Sequence, residues 1–351
     1  MEICRPPSFP VTICRFRLKF PPKFLCCSVA VTASISGTHE IESERQNRMF
    51  VLGMGFVGQF IAQDLKKEGW IVSGTCTSTV KKKELEERGF DICLFDANDP
   101  QLSSLHTLRS STHLLVSIPS LIGIGDPVLQ HEELLQSTIM DGNLQWLCYL
   151  SSTSVYGDSG GAWVDEDYPA NPTRDTAKSR LAAEEGWLNL GDSLGIPTQI
   201  FRLGGIYGPG RSAVDTIIKQ KALSKSQKLR ISRQYTSRIH VEDICQALKA
   251  SIKKPSFRRI YNIVDDDPAS REEVFAYAEE LVEKKWGGWV KKSASCERVV
   301  AYEKDSSRGE KRVCNKRMKR ELGVELIYPS YRSGLLSIID HVHYPSQCNG
   351  T

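Results

Sequence analysis

A short apolar run, Met49 to Leu52, leads straight into Gly53-Met54-Gly55-Phe56-Val57-Gly58, and Phe60, Ile61 and Leu65 continue an apolar face at helical spacing. A G-x-G-x-x-G turn between a strand and a helix confines the chain to few folds. Gly53 permits the sharp reversal, Gly55 lets the main chain come close to a phosphate, and Gly58 lets the helix press against the strand. The N–H groups of Phe56 and Val57 lie at the positive end of the helix dipole and face the same point. The stretch therefore predicts a dinucleotide diphosphate site.

The chain beyond it repeats the alternation. Trp70 to Cys76, Phe90 to Asp96, Leu114 to Pro119, Leu147 to Ser152 and Pro197 to Leu203 read as strands, with helical stretches such as Val80 to Arg88, Pro127 to Gln136 and Thr176 to Leu190 between them. Short buried strands separated by helices predict an α/β fold, a Rossmann-type doubly wound parallel sheet. Ligands of such sheets sit at the carboxyl ends of the strands. Asp96 and Ser117, near the ends of the third and fourth strands, are thus expected beside the cofactor. An NAD-preferring unit usually carries an acid after its second strand, whereas this chain has Thr77, Ser78 and Lys81 before its first acid, Glu84. Hydroxyls and a lysine suit a 2′-phosphate, so NADP is favoured with NAD as the alternative. Lys81 to Lys83 could equally open a surface helix.

Helices are expected at Val214 to Leu223, His240 to Ile252, Arg271 to Lys285 and Cys314 to Leu322, with a strand at Arg259 to Val264. Residues 284 to 307 read as loop. The expected organisation is a leader over 1–46, a dinucleotide-binding core over 47–210, and a segment over 211–345 that completes the sheet and forms a smaller C-terminal α/β lobe.

Charge separates the leader from the rest. Residues 1 to 38 hold five basic residues against one acid, and the other 313 balance 41 against 41. The folded part has no bulk electrostatic reason to bind nucleic acid or an anionic membrane. The leader, with three prolines in its first ten residues and Ser, Thr, Arg and Cys throughout, reads as a transit peptide processed near Cys27 to Ser34. Its composition leans to the chloroplast, with the mitochondrion as alternative; a tail that is never removed would have the same composition. The 11 cysteines include no C-x-x-C pair, and the histidines show no metal-binding spacing, so no metal site is expected. The expected partner is a small-molecule substrate, with no nucleic acid and no membrane, and a homodimer is left open.

Four stretches, Gly53 to Gly58, Ser151-Ser152-Thr153-Ser154-Val155-Tyr156-Gly157, Phe201 to Arg211, and Arg238 to Leu248, resemble the extended short-chain dehydrogenase/reductase superfamily of NAD(P)-dependent epimerases, dehydratases and reductases. The resemblance implies that Ser152 polarises a substrate oxygen and that Lys178 contacts the nicotinamide ribose. The family's acid/base tyrosine belongs four residues before that lysine, where this chain has Arg174. The family's dehydratases place an Asp-Glu pair where Thr153 and Ser154 stand, and the basic residue that clamps a nucleotide sugar aligns with Thr236. These departures resemble an atypical group similar to the bacterial YeeZ-type proteins. Two functions follow as expectations: an NADP-dependent oxidoreductase or epimerase-like enzyme acting on a small carbonyl or alcohol without the usual tyrosine, or an NAD(P)-binding regulatory or scaffold protein without turnover.

Overall fold

Apolar strands that can be covered on both faces favour a central sheet, and the computed structural model has one. It describes residues 46–96, 105–140, 143–219, 235–288 and 310–343, all within the unit running from Arg45 to Thr351. The expected leader, Ala97 and most of the expected 284-to-307 loop lie outside the described residues.

The strands are β1 (Arg48–Leu52), β2 (Ile71–Cys76), β3 (Asp91–Leu94), β4 (His113–Val116), β5 (Trp146–Ser152), β6 (Trp163–Val164), β7 (Thr198–Leu203), β8 (Gly205–Tyr207), β9 (Arg238–His240), β10 (Arg259–Ile263) and β11 (Arg312–Val313). The helices are α1 (Phe56–Lys67), α2 (Thr79–Glu87), α3 (Glu132–Met140), α4 (Asp175–Leu194), α5 (Ala213–Ile218), α6 (Val241–Lys253), α7 (Arg271–Lys285) and α8 (Tyr331–His341). Seven strands form one sheet in the order β10-β7-β5-β4-β1-β2-β3, with every pairing parallel. The chain winds outward from β1 to β3 and then back through β4, so the order reverses between β1 and β4. That reversal opens a crevice above the strand ends, the usual ligand position in such sheets.

Each face of the sheet is covered. One core joins Val51, Leu115 and Cys148 to Val57, Ile61 and Leu65 of α1 and to Ile244, Ala247 and Leu248 of α6. The other joins Phe50, Leu114 and Leu147 to Leu135 and Ile139 of α3 and to Trp187, Leu188 and Leu190 of α4. Burying apolar surface on both faces is what lets such strands be almost wholly apolar.

Residues 211 onward do two jobs. β10 and α6 extend the sheet and its cover, while α5, α7 and α8 close a third core with Tyr207, Val274, Leu281, Tyr331 and Leu335. The expected helix from Val214 is the short α5, with residues from 220 outside the described ones; Cys314 to Leu322 is a single π-helical turn at Met318–Leu322. Two small parallel pairs, β8 with β9 and β6 with β11, carry no repeat in the sequence. No helix among the described residues is long and apolar enough to cross a membrane.

Candidate active site

The glycine turn forms as its residues require. Gly53 has φ +103, a conformation costly for any residue with a Cβ, and its N–H donates to Thr75 Oγ1 at 2.9 Å, tying the turn to β2. A Cβ on Gly58 would lie 2.5 Å from the Gly53 carbonyl oxygen, so glycine is what lets α1 approach β1. Gly55 caps α1 without a side-chain hydrogen bond, is exposed, and a Cβ there would meet no protein atom within 4 Å. The small residue is thus unexplained by packing, whereas a group resting on the helix N-terminus would need it. Phe56 and Val57 open the helix at that point. A dinucleotide diphosphate fits these residues.

The flanking cofactor residues are placed less decisively. Ser117 follows β4 and donates its N–H to the Leu52 carbonyl at 2.8 Å, which sets it beside the turn in the crevice. Asp96 is exposed just beyond β3. Thr77 is exposed at the end of β2. The Ser78 hydroxyl caps α2 by accepting from the Lys81 N–H, and the Lys81 ammonium is paired with Glu84 at 3.1 Å. Their local bonds alone account for Ser78 and Lys81.

Beside the crevice, at the carboxyl ends of β5 and β7, lies a cleft of about 810 Å³. Its walls come from Ser152 to Ser154, the start of α4, Gly204 to Tyr207, α5, and residues of β9 and α8. Ser152 ends β5, and its hydroxyl accepts from the Ser154 N–H at 3.2 Å. Ser152 lines the cleft, and a hydroxyl that accepts in this way still has its proton to donate.

Behind that turn a buried polar chain fixes the backbone. The Ser151 hydroxyl donates to Glu184 of α4, and Glu184 takes three hydrogen bonds from Arg202 of β7 at 2.7 to 3.1 Å. The Arg202 guanidinium sits 4.8 Å over the Tyr156 ring. The Tyr156 hydroxyl in turn donates to Asn262 Oδ1 at 2.7 Å. Burial pushes that phenol up to about 12, and the ring is fully covered, so Tyr156 is a packing residue and no proton donor to the cleft.

Lys178 stands on the exposed side of α4. The resemblance sets it against the cofactor ribose, but its ammonium pairs with Asp175 at 3.4 Å on the exposed side of α4, and it is not among the residues lining the cleft. Helical geometry is the reason. Ala177 faces inward, and the next residue is turned about 100° away from it. The side chain that reaches back toward β5 is Arg180, whose Nη1 lies 3.5 Å from the Leu150 carbonyl oxygen. Thr176, one turn before Arg180, lines the cleft, as does Arg174.

Tyr207 and Arg211, which sequence reasoning gave no role, and Arg238, close to the clamp position at Thr236, are all in the cleft wall. All three lie in motifs already singled out, Phe201 to Arg211 and Arg238 to Leu248, but their shared wall arises only because β8, the turn after it and β9 meet in the folded chain. Among the described residues no group of three or more His, Cys, Asp or Glu side chains could hold a metal ion.

A parallel sheet with this strand order, a glycine turn at its switch point and a Ser-rich turn beside a second lobe define a dinucleotide-fold protein of the extended dehydrogenase/epimerase type. The comparisons agree. Residues 128–264 match the NAD dependent epimerase/dehydratase family. It is 29% identical over 223 residues to Protein YeeZ of Escherichia coli, covering 62% of this chain and 77% of that one. A solved structure of a functionally unknown conserved protein from Silicibacter pomeroyi is 32% identical, with TM-score 0.66 over 84% of this chain and 99% of the other. The dTDP-glucose 4,6-dehydratase of Bacillus anthracis, solved with NAD, has TM-score 0.65 at 18% identity, covers 84% of this chain and 96% of its own, and shares the fold.

Proposed function

We propose that the chain binds a nicotinamide dinucleotide at the Gly53–Gly58 turn and acts as an oxidoreductase or epimerase-like enzyme on a small carbonyl or alcohol. One observation carries the reading: the glycine turn, with an unobstructed Gly55 at the helix N-terminus, stands in the crevice next to a cleft that contains Ser152. A nicotinamide supplies hydride transfer when bound. The chain's own part is to orient the reacting oxygen from the Ser152 hydroxyl, with Glu184 and Arg202 holding the turn behind it, and to admit the substrate through the cleft. Thr77, Ser78 and Lys81 favour NADP if the Lys81–Glu84 pair, an exposed one, opens to a 2′-phosphate; such pairs hold by only about 0–1 kcal/mol.

Arg174 and the outward Lys178 favour a second reading, a dinucleotide-binding protein without turnover. Arginine, always charged, is a poor proton shuttle, and the buried Tyr156 does not replace it. The deciding experiment adds NADPH to the full chain with a panel of aldehydes and ketones. Oxidation that disappears in Ser152→Ala supports the enzyme, whereas tight NADPH binding without turnover supports the second reading. Absence of NADPH and NADH binding in calorimetry removes both. The leader composition supports plastid import, tested by whether residues 1–46 carry a fluorescent protein into chloroplasts or mitochondria.

A further inference from the structure

Residues 39–351 balance 41 basic against 41 acidic residues, yet the cleft does not. Among the described residues Arg174, Arg211, Lys219, Arg238, Arg271 and Lys311 line it, against the single acid Asp215. That acid is already occupied: it accepts from the Ser212 hydroxyl at 2.5 Å and sits 3.8 Å from the Lys219 ammonium. A concave surface lined by one sign of charge focuses the potential on whatever enters it.

Two of these cations differ from the rest. Arg174 and Arg211 are exposed, and among the described residues neither guanidinium has an ion-pair or hydrogen-bond partner. Arg211 is nevertheless held in place. Reciprocal backbone hydrogen bonds of 3.0 and 3.1 Å join it to Gly208, and its guanidinium lies 5.3 Å over the ring of Phe56, the first residue of α1. Arg174 is fixed through its backbone as the N-cap of α4, at the position where the resemblance would put the acid/base tyrosine. A guanidinium there cannot move a proton at neutral pH, but its planar fork of donors matches the oxygens of a carboxylate or a phosphoryl group.

We propose that the cleft takes an anionic substrate, one carrying a phosphate or carboxylate group, and that Arg174 and Arg211 hold that group at the boundary between the cleft and the glycine turn. This rests on the cleft being the substrate site beside a dinucleotide. Arg174 thereby exchanges proton transfer for substrate anchoring. Arg211, stacked on Phe56, places the anion where it abuts the cofactor crevice.

The test is calorimetric titration of the full chain, saturated with NADP, with inorganic phosphate and separately with malonate at low ionic strength. The expected result is saturable binding of at least one probe, weakened about tenfold or more in Arg174→Gln and in Arg211→Gln, the loss of a charge-assisted hydrogen bond, and weakened further in the double variant. Both side chains are exposed and make no polar contact among the described residues, so melting temperatures should match the wild type. Preference for phosphate assigns a phosphate ester, and preference for malonate a carboxylate. The proposal is overturned if neither probe binds, if the double variant binds as tightly as the wild type, or if the probes bind the free chain but not the NADP-saturated one, since the arginines would then serve the cofactor's own diphosphate. Failure of NADP itself to bind is read in the first titration and counts against the cofactor assignment; the probes added to the free chain still decide the anion site.

Discussion

Gly55 and Gly58 are three residues apart and would respond to the same substitution in opposite ways. A Cβ at Gly58 runs into the Gly53 carbonyl, so Gly58→Val should destabilise the chain by about 1–3 kcal/mol or more, the usual cost of overpacking. Gly55 is exposed with extended backbone angles and open space around it. Gly55→Val should therefore cost only about 1 kcal/mol, the loss of a favourable N-cap residue, while abolishing NADP binding. Urea unfolding and calorimetry on the two variants separate the structural glycine from the binding one; equal effects on both readouts would remove the distinction. His113 supplies a second residue-scale test. It lies in the core between Trp70 and Trp146, and burial lowers its imidazole from 6.5 to about 4. The unfolded chain then binds more protons than the folded one between those values, so this contribution is intact above about pH 6.5 and lost as pH falls through about 4. Asp243, raised from 3.8 to about 6 by burial, acts with the opposite sign over most of that window. The discriminating measurement is the difference between the wild type and His113→Gln in urea midpoint from pH 7 to 4, which should narrow toward the acid end.

At the scale of elements, α4 joins β5 and β7 through the Glu184–Arg202 pair, both side chains nearly inaccessible at 3% and 5%. Replacing one partner leaves a buried uncompensated charge, which costs about 3–5 kcal/mol. Glu184→Gln should show that loss in urea unfolding and should also loosen the Ser152 turn through Ser151. If the variant unfolds at the wild-type midpoint, the pair is not holding the strands. Much of this element level was legible beforehand: the helix, its approximate span and Ser152 at the strand end follow from period and spacing. The pairs β6–β11 and β8–β9 were not legible at all, since strands of two or three residues are selected by neighbours far away in sequence rather than by their own pattern.

For the whole molecule, binding to the folded state alone should raise stability with ligand concentration, by about 2.7 kcal/mol at a hundredfold excess over Kd. Thermal melts with NADP and NAD should show this rise for the wild type and none for Gly55→Val. The larger rise at equal concentration names the preferred dinucleotide, and no rise with either would leave the glycine turn without its ligand. What the amino-acid sequence determined by itself is local: a strand, a left-handed glycine and a helix N-terminus within eleven residues, then repeated apolar strands too short and too apolar to be anything but the inside of a two-sided sheet. The order β3-β2-β1-β4 and the crevice it opens follow from connection rules acting on those elements. The content of the cleft did not follow. Arg174, Arg211 and Ser152 come from three separate segments, and their common wall, with its excess of positive charge, exists only because β8, β9 and α4 converge there once the chain is packed.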